Sequence, residues 1–375
     1  MSKFRPVWVE IDLSAIVHNV NSIQKKLKSK NTKIIAVVKT NAYGHGILKI
    51  TETLLNQGIN FFGVTSIDEG LLLRQKKINA SILILGSLYP FNNFREVIEY
   101  NFIPTISSID GIKQLNEYSK KFNKKTVFHL KIDTGMGRIG ISPDSVNSFI
   151  ESLYEYKNVV LGGIYTHFAS ADSNKEYTEY QLNNFKKVIS NLRRYGYSNV
   201  IIHTANSAAL LKYPESYYDM VRPGLCIYGL LPFPKADKFI DIRPALSWRT
   251  KVVFLKKVTT GKSISYGNTF ITKKDSIIAT IPVGYGDGYN RSLSNRAQVL
   301  IKGHRCRIVG RVTMDMTMID VTELKNIRIG DEVILIGKSG NDMISVEEIA
   351  SIVGTINYEI VCNIHTRVER VYKNG

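Results

Sequence analysis

The sequence predicts an α/β chain in two parts, a (β/α)8 barrel of TIM type followed by a C-terminal all-β domain, on three observations. Between residues 30 and 230, short β-rich apolar runs alternate with amphipathic Lys/Glu-bearing stretches, as repeated βα units around a parallel sheet require. At Leu230–Pro244 three prolines interrupt that rhythm and read as a linker. Beyond it, short Val/Ile-rich runs are separated by Gly261, Gly267, Gly303, Gly310 and Gly330 with little helical periodicity. The length of 375 residues fits one large barrel with an appendage or two similar domains.

Eight runs supply the barrel strands: Thr32–Val38, Phe61–Thr65, Ser81–Leu85, Phe102–Ile106, Thr126–Ile132, Val159–Tyr165, Asn199–His203 and Met220–Ile227. Each is nearly continuous in apolar residues, as a strand covered on both faces must be. An open doubly wound sheet is the alternative, but no Gly-x-Gly-x-x-Gly follows the first strand. Val7–Ile11 is expected to pair with the later sheet, which divides the chain into an N-terminal strand at 1–12, a barrel at 13–236 and a β domain at 237–375. One late helix is expected over Ser345–Val353.

Composition narrows the functional classes. The net charge of +18 would attract polyanions, but the lysines are scattered through stretches such as Gln24–Lys30 and Glu117–Lys125 beside apolar positions at helical spacing, as solvated helix faces are. A nucleic-acid partner is therefore not expected. No apolar run approaches the roughly 20 residues of a bilayer-spanning helix, and Glu10 and Asp12 break the apolar stretch that an export signal needs. Cys226, Cys306 and Cys362 form no close pair, which argues against a disulfide framework or a zinc site and for a reducing cytoplasm. Two glycine-containing segments, Thr259–Ser263 and Gly284–Gly288, fail the spacing of nucleotide-binding loops.

Chemistry concentrates at Lys39, which closes the apolar run Ile34–Val38 at the end of the first barrel strand, where barrel enzymes carry their catalytic groups. A lysine leaving an apolar strand for a cleft is partly desolvated, which suits it to form a Schiff base and then act as a base. Asn41, Tyr43, Gly44, His45 and Gly46 follow as a polar turn able to bring a phenol and backbone amides to an anion.

The nonapeptide Val38–Gly46 resembles the cofactor-lysine signature of the alanine racemases, with Thr40 where that family usually has alanine. The resemblance continues through His129–Gly140, Tyr165–Phe168, His203–Ala209, Met220–Gly229, Ser265–Gly267, Ile281–Arg291, Gly310–Met316 and Asn357–Arg370. It implies an isomerase that interconverts L- and D-alanine on pyridoxal 5'-phosphate held by Lys39, feeding D-alanine to peptidoglycan. It also implies roles residue by residue. Arg222 would face the pyridine nitrogen and leave it unprotonated, because a guanidinium does not release its proton. His167 would lie against the ring. Tyr43, Asn206, Ser207, Gly224, Leu225 and Tyr358 would complete the cofactor contacts, mainly at the phosphate. Arg138 would bond the cofactor phenolate oxygen and the substrate carboxylate, steered by Lys131, which is carbamylated in many family members. Met314 would contact substrate, with Asp315 and Tyr285 in support.

Racemisation handles a proton on both faces of the α-carbon, so two bases are needed. The resemblance makes Lys39 one and Tyr266 the other, the tyrosine coming from a partner chain in a head-to-tail homodimer. A relative acting on serine or larger amino acids remains an alternative, since Thr313 and Met316 depart from the usual residues and Glu369 replaces a common proline. A non-catalytic pyridoxal-phosphate carrier would resemble the barrel alone, and Tyr266 with the β domain counts against it.

Overall fold

The computed structural model describes residues 4–28 and 31–375. They form two compact units. One holds Val17–Ala42 and Ile47–Ile242; the other holds the N-terminal segment through Ile16, Tyr43–Gly46 and Arg243–Gly375.

The first unit is a parallel barrel wrapped by helices. Its ladder runs in sequence order through Phe61–Val64, Ser81–Ile84, Ile103–Ile106, Thr126–Lys131, Val159–Tyr165, Ile201–His203 and Met220–Val221. Closure falls to two short pieces of the first strand, broken at Ile35. Lys33–Ile34 pairs with Met220–Val221 and Ala36–Val37 pairs with Phe61–Val64, so one chain segment joins both ends of the ladder. Ile35, Phe61, Leu83 and Met220 fill the interior as a buried apolar cluster, the side-chain packing that makes such a barrel solid. The crossover helices begin where the sequence offers an oxygen-bearing cap. Ser66, Ser108 and Asn174 each accept a backbone N–H at the start of Ile67–Gln75, Ile109–Lys121 and Lys175–Arg194.

The eighth strand is shorter than the sequence suggests. After Met220–Val221 the bonding to neighbouring segments continues only through Arg222 N–H to Ala205 O and Val37 N–H to Pro223 O, and Leu225–Tyr228 forms a 3-10 turn ended by left-handed Gly229. Burial of Leu225, Cys226 and Ile227 explains why they read as strand, since an apolar run carries no period that separates the two.

The second unit is strand-rich. Val7–Asp12 lies between Leu246–Lys251, antiparallel, and Glu369–Lys373, parallel. Glu332–Ser339 and the hairpin Gln298–Ile301 with His304–Arg307 extend this sheet. Phe254–Val258, Ser276–Ile281 and Thr317–Asp320 form a separate three-stranded sheet. Buried Trp8, Trp248 and Tyr289 anchor the core, the last two meeting edge to face at 5.6 Å. The unit also carries the helices Val346–Val353 and Asn357–Cys362, the second unannounced by the sequence pattern. Among the described residues no helix is long and apolar enough to cross a membrane.

Candidate active site

Lys39 leaves the end of Ala36–Val37 and is partly buried. The chain then takes a turn that no local pattern announces: Thr40, Asn41 and Ala42 all lie at φ 53°, with ψ between 45° and 53°, and Tyr43 continues at φ 53°. This is a left-handed helical turn built without glycine, costing roughly 1–2 kcal/mol per residue. Three hydrogen bonds hold it. Ala42 N–H donates to Val38 O at 2.8 Å, Ile47 N–H to Asn41 Oδ1 at 2.9 Å, and Thr40 N–H to a Glu69 carboxylate oxygen at 2.5 Å.

Beside the first strand, immediately after the last strand that pairs with it, stands Arg222, which is buried. Its Nη1 donates to His203 Nδ1 and His203 O, each at 2.8 Å. Its Nη2 donates to Thr166 O at 2.6 Å, Thr204 O at 2.9 Å and, at 3.4 Å, His167 Nδ1. No carboxylate pairs with it among the described residues. The Tyr165 ring faces the guanidinium instead, 5.0 Å from Cζ to centroid, an attraction worth about 2 kcal/mol or more once desolvated. Burial lowers the Arg222 pKa to about 10, which still leaves it charged at neutral pH.

A guanidinium only donates, so His203 Nδ1 must accept and a neutral His203 carries its proton on Nε2. That proton points at His129 Nδ1, 2.9 Å away, which fixes the tautomer of His129 in turn. Both rings are kept neutral. Burial and then Arg222 hold His129 down to about 3 and push His203 well below its ordinary value. His167 is pushed the same way by desolvation, then by Arg222, Lys131, Arg138 and Lys39. Five of the residues singled out from the sequence therefore act on one electrostatic neighbourhood.

Lys131 ends the Thr126–Lys131 strand and is 2% exposed, with its Nζ 4.7 Å over the Tyr165 ring and no hydrogen-bond partner among the described residues. Burial, then Arg222 and Arg138, push its pKa well below the ordinary lysine value. Arg138 itself is exposed on the loop that follows. Asp133 shapes that loop by accepting the N–H groups of Gly135, Met136 and Gly137 at 2.8–3.1 Å.

The anion-binding candidates gather on the adjoining loops. Ser207 Oγ accepts from Gly224 N–H at 2.9 Å and Cys226 N–H at 3.5 Å. Asn206 caps the helix Ser207–Lys212 by accepting from Ala209 N–H at 2.9 Å, and Leu225 is buried beside Gly224. Converging hydroxyl and amide groups without a fixed charge have the donor chemistry that a phosphate monoester needs. The lysine, the donor-only Arg222 and these groups thus fit pyridoxal 5'-phosphate.

The remaining candidates belong to the strand-rich unit. Tyr43 is buried, its ring 6.0 Å from that of Tyr358, and burial followed by Tyr358 and Cys362 raises its pKa. Tyr266 is 72% exposed and follows Ser265, a non-glycine at φ 67° whose Oγ donates to Arg311 O at 2.7 Å. Tyr285 and Met314 are also exposed. Their loops are stitched by Tyr285 N–H to Thr313 O at 3.0 Å and Gly286 N–H to Met314 O at 2.9 Å. Asp315 bonds Arg367 at 2.8 Å, and the same guanidinium reaches the buried Asp287, which Arg5 also grips. Sequence reasoning singled out neither His129, His203 and Tyr165 nor Glu69. The first three sat inside quoted motifs as ordinary strand residues, and Glu69 reads as a first-turn helix acid.

Comparison with known proteins agrees over the whole chain. Residues 11–232 match the family profile described as "Alanine racemase, N-terminal domain" and residues 245–372 match "Alanine racemase, C-terminal domain". The alanine racemase of Halothermothrix orenii is 44% identical over 371 residues, covering 99% of this chain and 97% of the relative. The alanine racemase structure from Clostridium difficile 630 superposes with a TM-score of 0.92 at 38% identity, covering 98% of this chain and 95% of that one. The Bacillus anthracis alanine racemase with bound L-Ala-P gives a TM-score of 0.93 at 38% identity over 100% of this chain and 96% of that chain.

Proposed function

The chain belongs to the alanine racemase family, and from that premise we propose that it interconverts L- and D-alanine by a two-base mechanism and so supplies D-alanine for peptidoglycan. The observation that carries the reading is the barrel mouth, where Lys39 and Arg222 act on the same histidine and Arg222 is charged, buried and free to donate only. When bound, pyridoxal 5'-phosphate withdraws electrons from the substrate α-carbon and makes its hydrogen acidic.

This chain's residues do the rest. Lys39 Nζ holds the cofactor covalently and exchanges the proton on one face of the α-carbon. Tyr266, contributed by the partner subunit of a homodimer, exchanges it on the other. Arg222 keeps its proton and donates toward the pyridine nitrogen, with His167 against the ring. Ser207, Asn206, Gly224, Leu225, Tyr43 and Tyr358 bind the phosphate. Arg138 orients the substrate carboxylate, while the amide of Met314, with Asp315 and Tyr285, closes the pocket. Lys131 suits carbamylation: burial and two arginines shift its amine toward the neutral form, and adding carbon dioxide with loss of one proton would place an anion beside them.

The test is formation of D-alanine from L-alanine, with L-serine and L-lysine as competitors. Lys39→Ala should abolish it, and borohydride reduction of the loaded enzyme should leave the cofactor on Lys39; a label found elsewhere would sink the assignment. Co-expressing Lys39→Ala with Tyr266→Phe should restore activity in mixed dimers, because one complete site would form. No recovery would refute the shared site.

A further inference from the structure

Glu69 stands in the first turn of Ile67–Gln75, where its own N–H donates to the capping Ser66 Oγ at 3.3 Å. In the usual capping box its carboxylate would return to the cap's own N–H. Here it reaches elsewhere. One oxygen accepts Thr40 N–H at 2.5 Å and the other accepts Thr65 N–H at 2.8 Å. Thr65 directly follows Phe61–Val64, the strand that pairs with Ala36–Val37. A single carboxylate thereby ties the exits of two neighbouring strands at the catalytic mouth.

The tie matters because of what it restrains. Thr40 is the first left-handed residue after Lys39 and is β-branched, the side-chain class least suited to that conformation. Its N–H opens the turn, ahead of the internal bond from Ala42 to Val38. A charge-assisted acceptor at this amide offsets part of the strain and sets the direction in which the chain leaves Lys39. We propose that Glu69 is a positioning residue for Lys39, acting through the Thr40 amide to hold the left-handed turn that aims the lysine. This rests on the reading of Lys39 as the cofactor anchor.

The test uses the full chain, stripped of cofactor and reloaded with pyridoxal 5'-phosphate. Lys39 is followed by borohydride labelling with peptide mapping and, without cofactor, by its reactivity toward trinitrobenzenesulfonate. Glu69→Ala should weaken loading by about tenfold, the equivalent of one charge-assisted hydrogen bond, and change the reactivity of Lys39. Glu69→Gln, which keeps one acceptor, should fall between. Thr40→Gly relaxes the turn, so adding it to Glu69→Ala should return loading to near that of Thr40→Gly alone. A role confined to helix capping predicts no such rescue. Unchanged loading and reactivity in Glu69→Ala, or equal losses with and without Thr40→Gly, would overturn the proposal. Absence of label on wild-type Lys39 would instead overturn the anchor assignment.

Discussion

At Lys131 a long side chain is buried with its amine over a tyrosine face and, among the described residues, without a hydrogen-bond partner. An unsatisfied buried donor costs about 1–3 kcal/mol. Lys131→Met keeps the bulk and removes that cost, so in carbon-dioxide-free buffer it should raise stability by about 1 kcal/mol, read as a higher denaturant midpoint at constant slope. Added bicarbonate should stabilise the wild type and leave the methionine variant unmoved. Equal responses would show that the amine is not modified. Lys131 was legible in the sequence as a strand-end residue of a matching motif. The left-handed turn beside Lys39 was not, because threonine, alanine and tyrosine all disfavour it, and among the bonds that hold it the one from Glu69 comes from a residue 29 positions away.

Between elements, strand Val159–Tyr165 approaches Thr126–Lys131 through Gly163. A Cβ there would sit 2.7 Å from the His129 ring, and that ring cannot retreat without breaking its bond to His203. Gly163→Ala should therefore cost about 1–3 kcal/mol of stability by overpacking, and should lower turnover by disturbing the chain that fixes Arg222. Intact stability and turnover would show that the ring has room. The apolar runs predicted all eight barrel positions, since a strand covered on both faces must be continuous in hydrophobic residues. They could not say where a run stops being strand, as the 3-10 turn Leu225–Tyr228 demonstrates. Nor could they expose the histidine pair, whose members lie on strands 74 residues apart in sequence.

For the molecule as a whole, the three neutral histidines of the barrel couple folding to pH. His129 has its folded pKa lowered to about 3, and His203 and His167 shift in the same direction, so the unfolded chain binds protons that the native one refuses. Their stabilising contribution is complete above the unfolded value near ~6.5 and is lost as pH falls toward the folded values, at about 1.4 kcal/mol per pH unit for each histidine. Urea unfolding at pH 7, 6 and 5 should show this steep acid-side decline, and His129→Asn, which keeps an acceptor for His203, should remove about a third of the slope. A slope unchanged by that variant would mean that His129 does not titrate on unfolding. The two-part architecture was legible from the proline break and the changed texture after it. The sharing of Tyr43–Gly46 with the strand-rich unit was not, because nothing local marks four residues as belonging to partners more than 300 positions away, such as Arg370, whose Nε donates to Gly44 O at a separation of 326.

That separation has a consequence for synthesis. The sheet seats Val7–Asp12 beside Glu369–Lys373, with Lys373 reaching Glu10 across 363 residues of chain. The barrel strands are all made by Val221, and domains tend to fold in the order in which they emerge from the ribosome. A nascent chain can thus close its barrel while its first strand and the Tyr43–Gly46 segment still wait for neighbours that have not been translated. The stretch following Lys39 is among the earliest parts made and among the last to be locked.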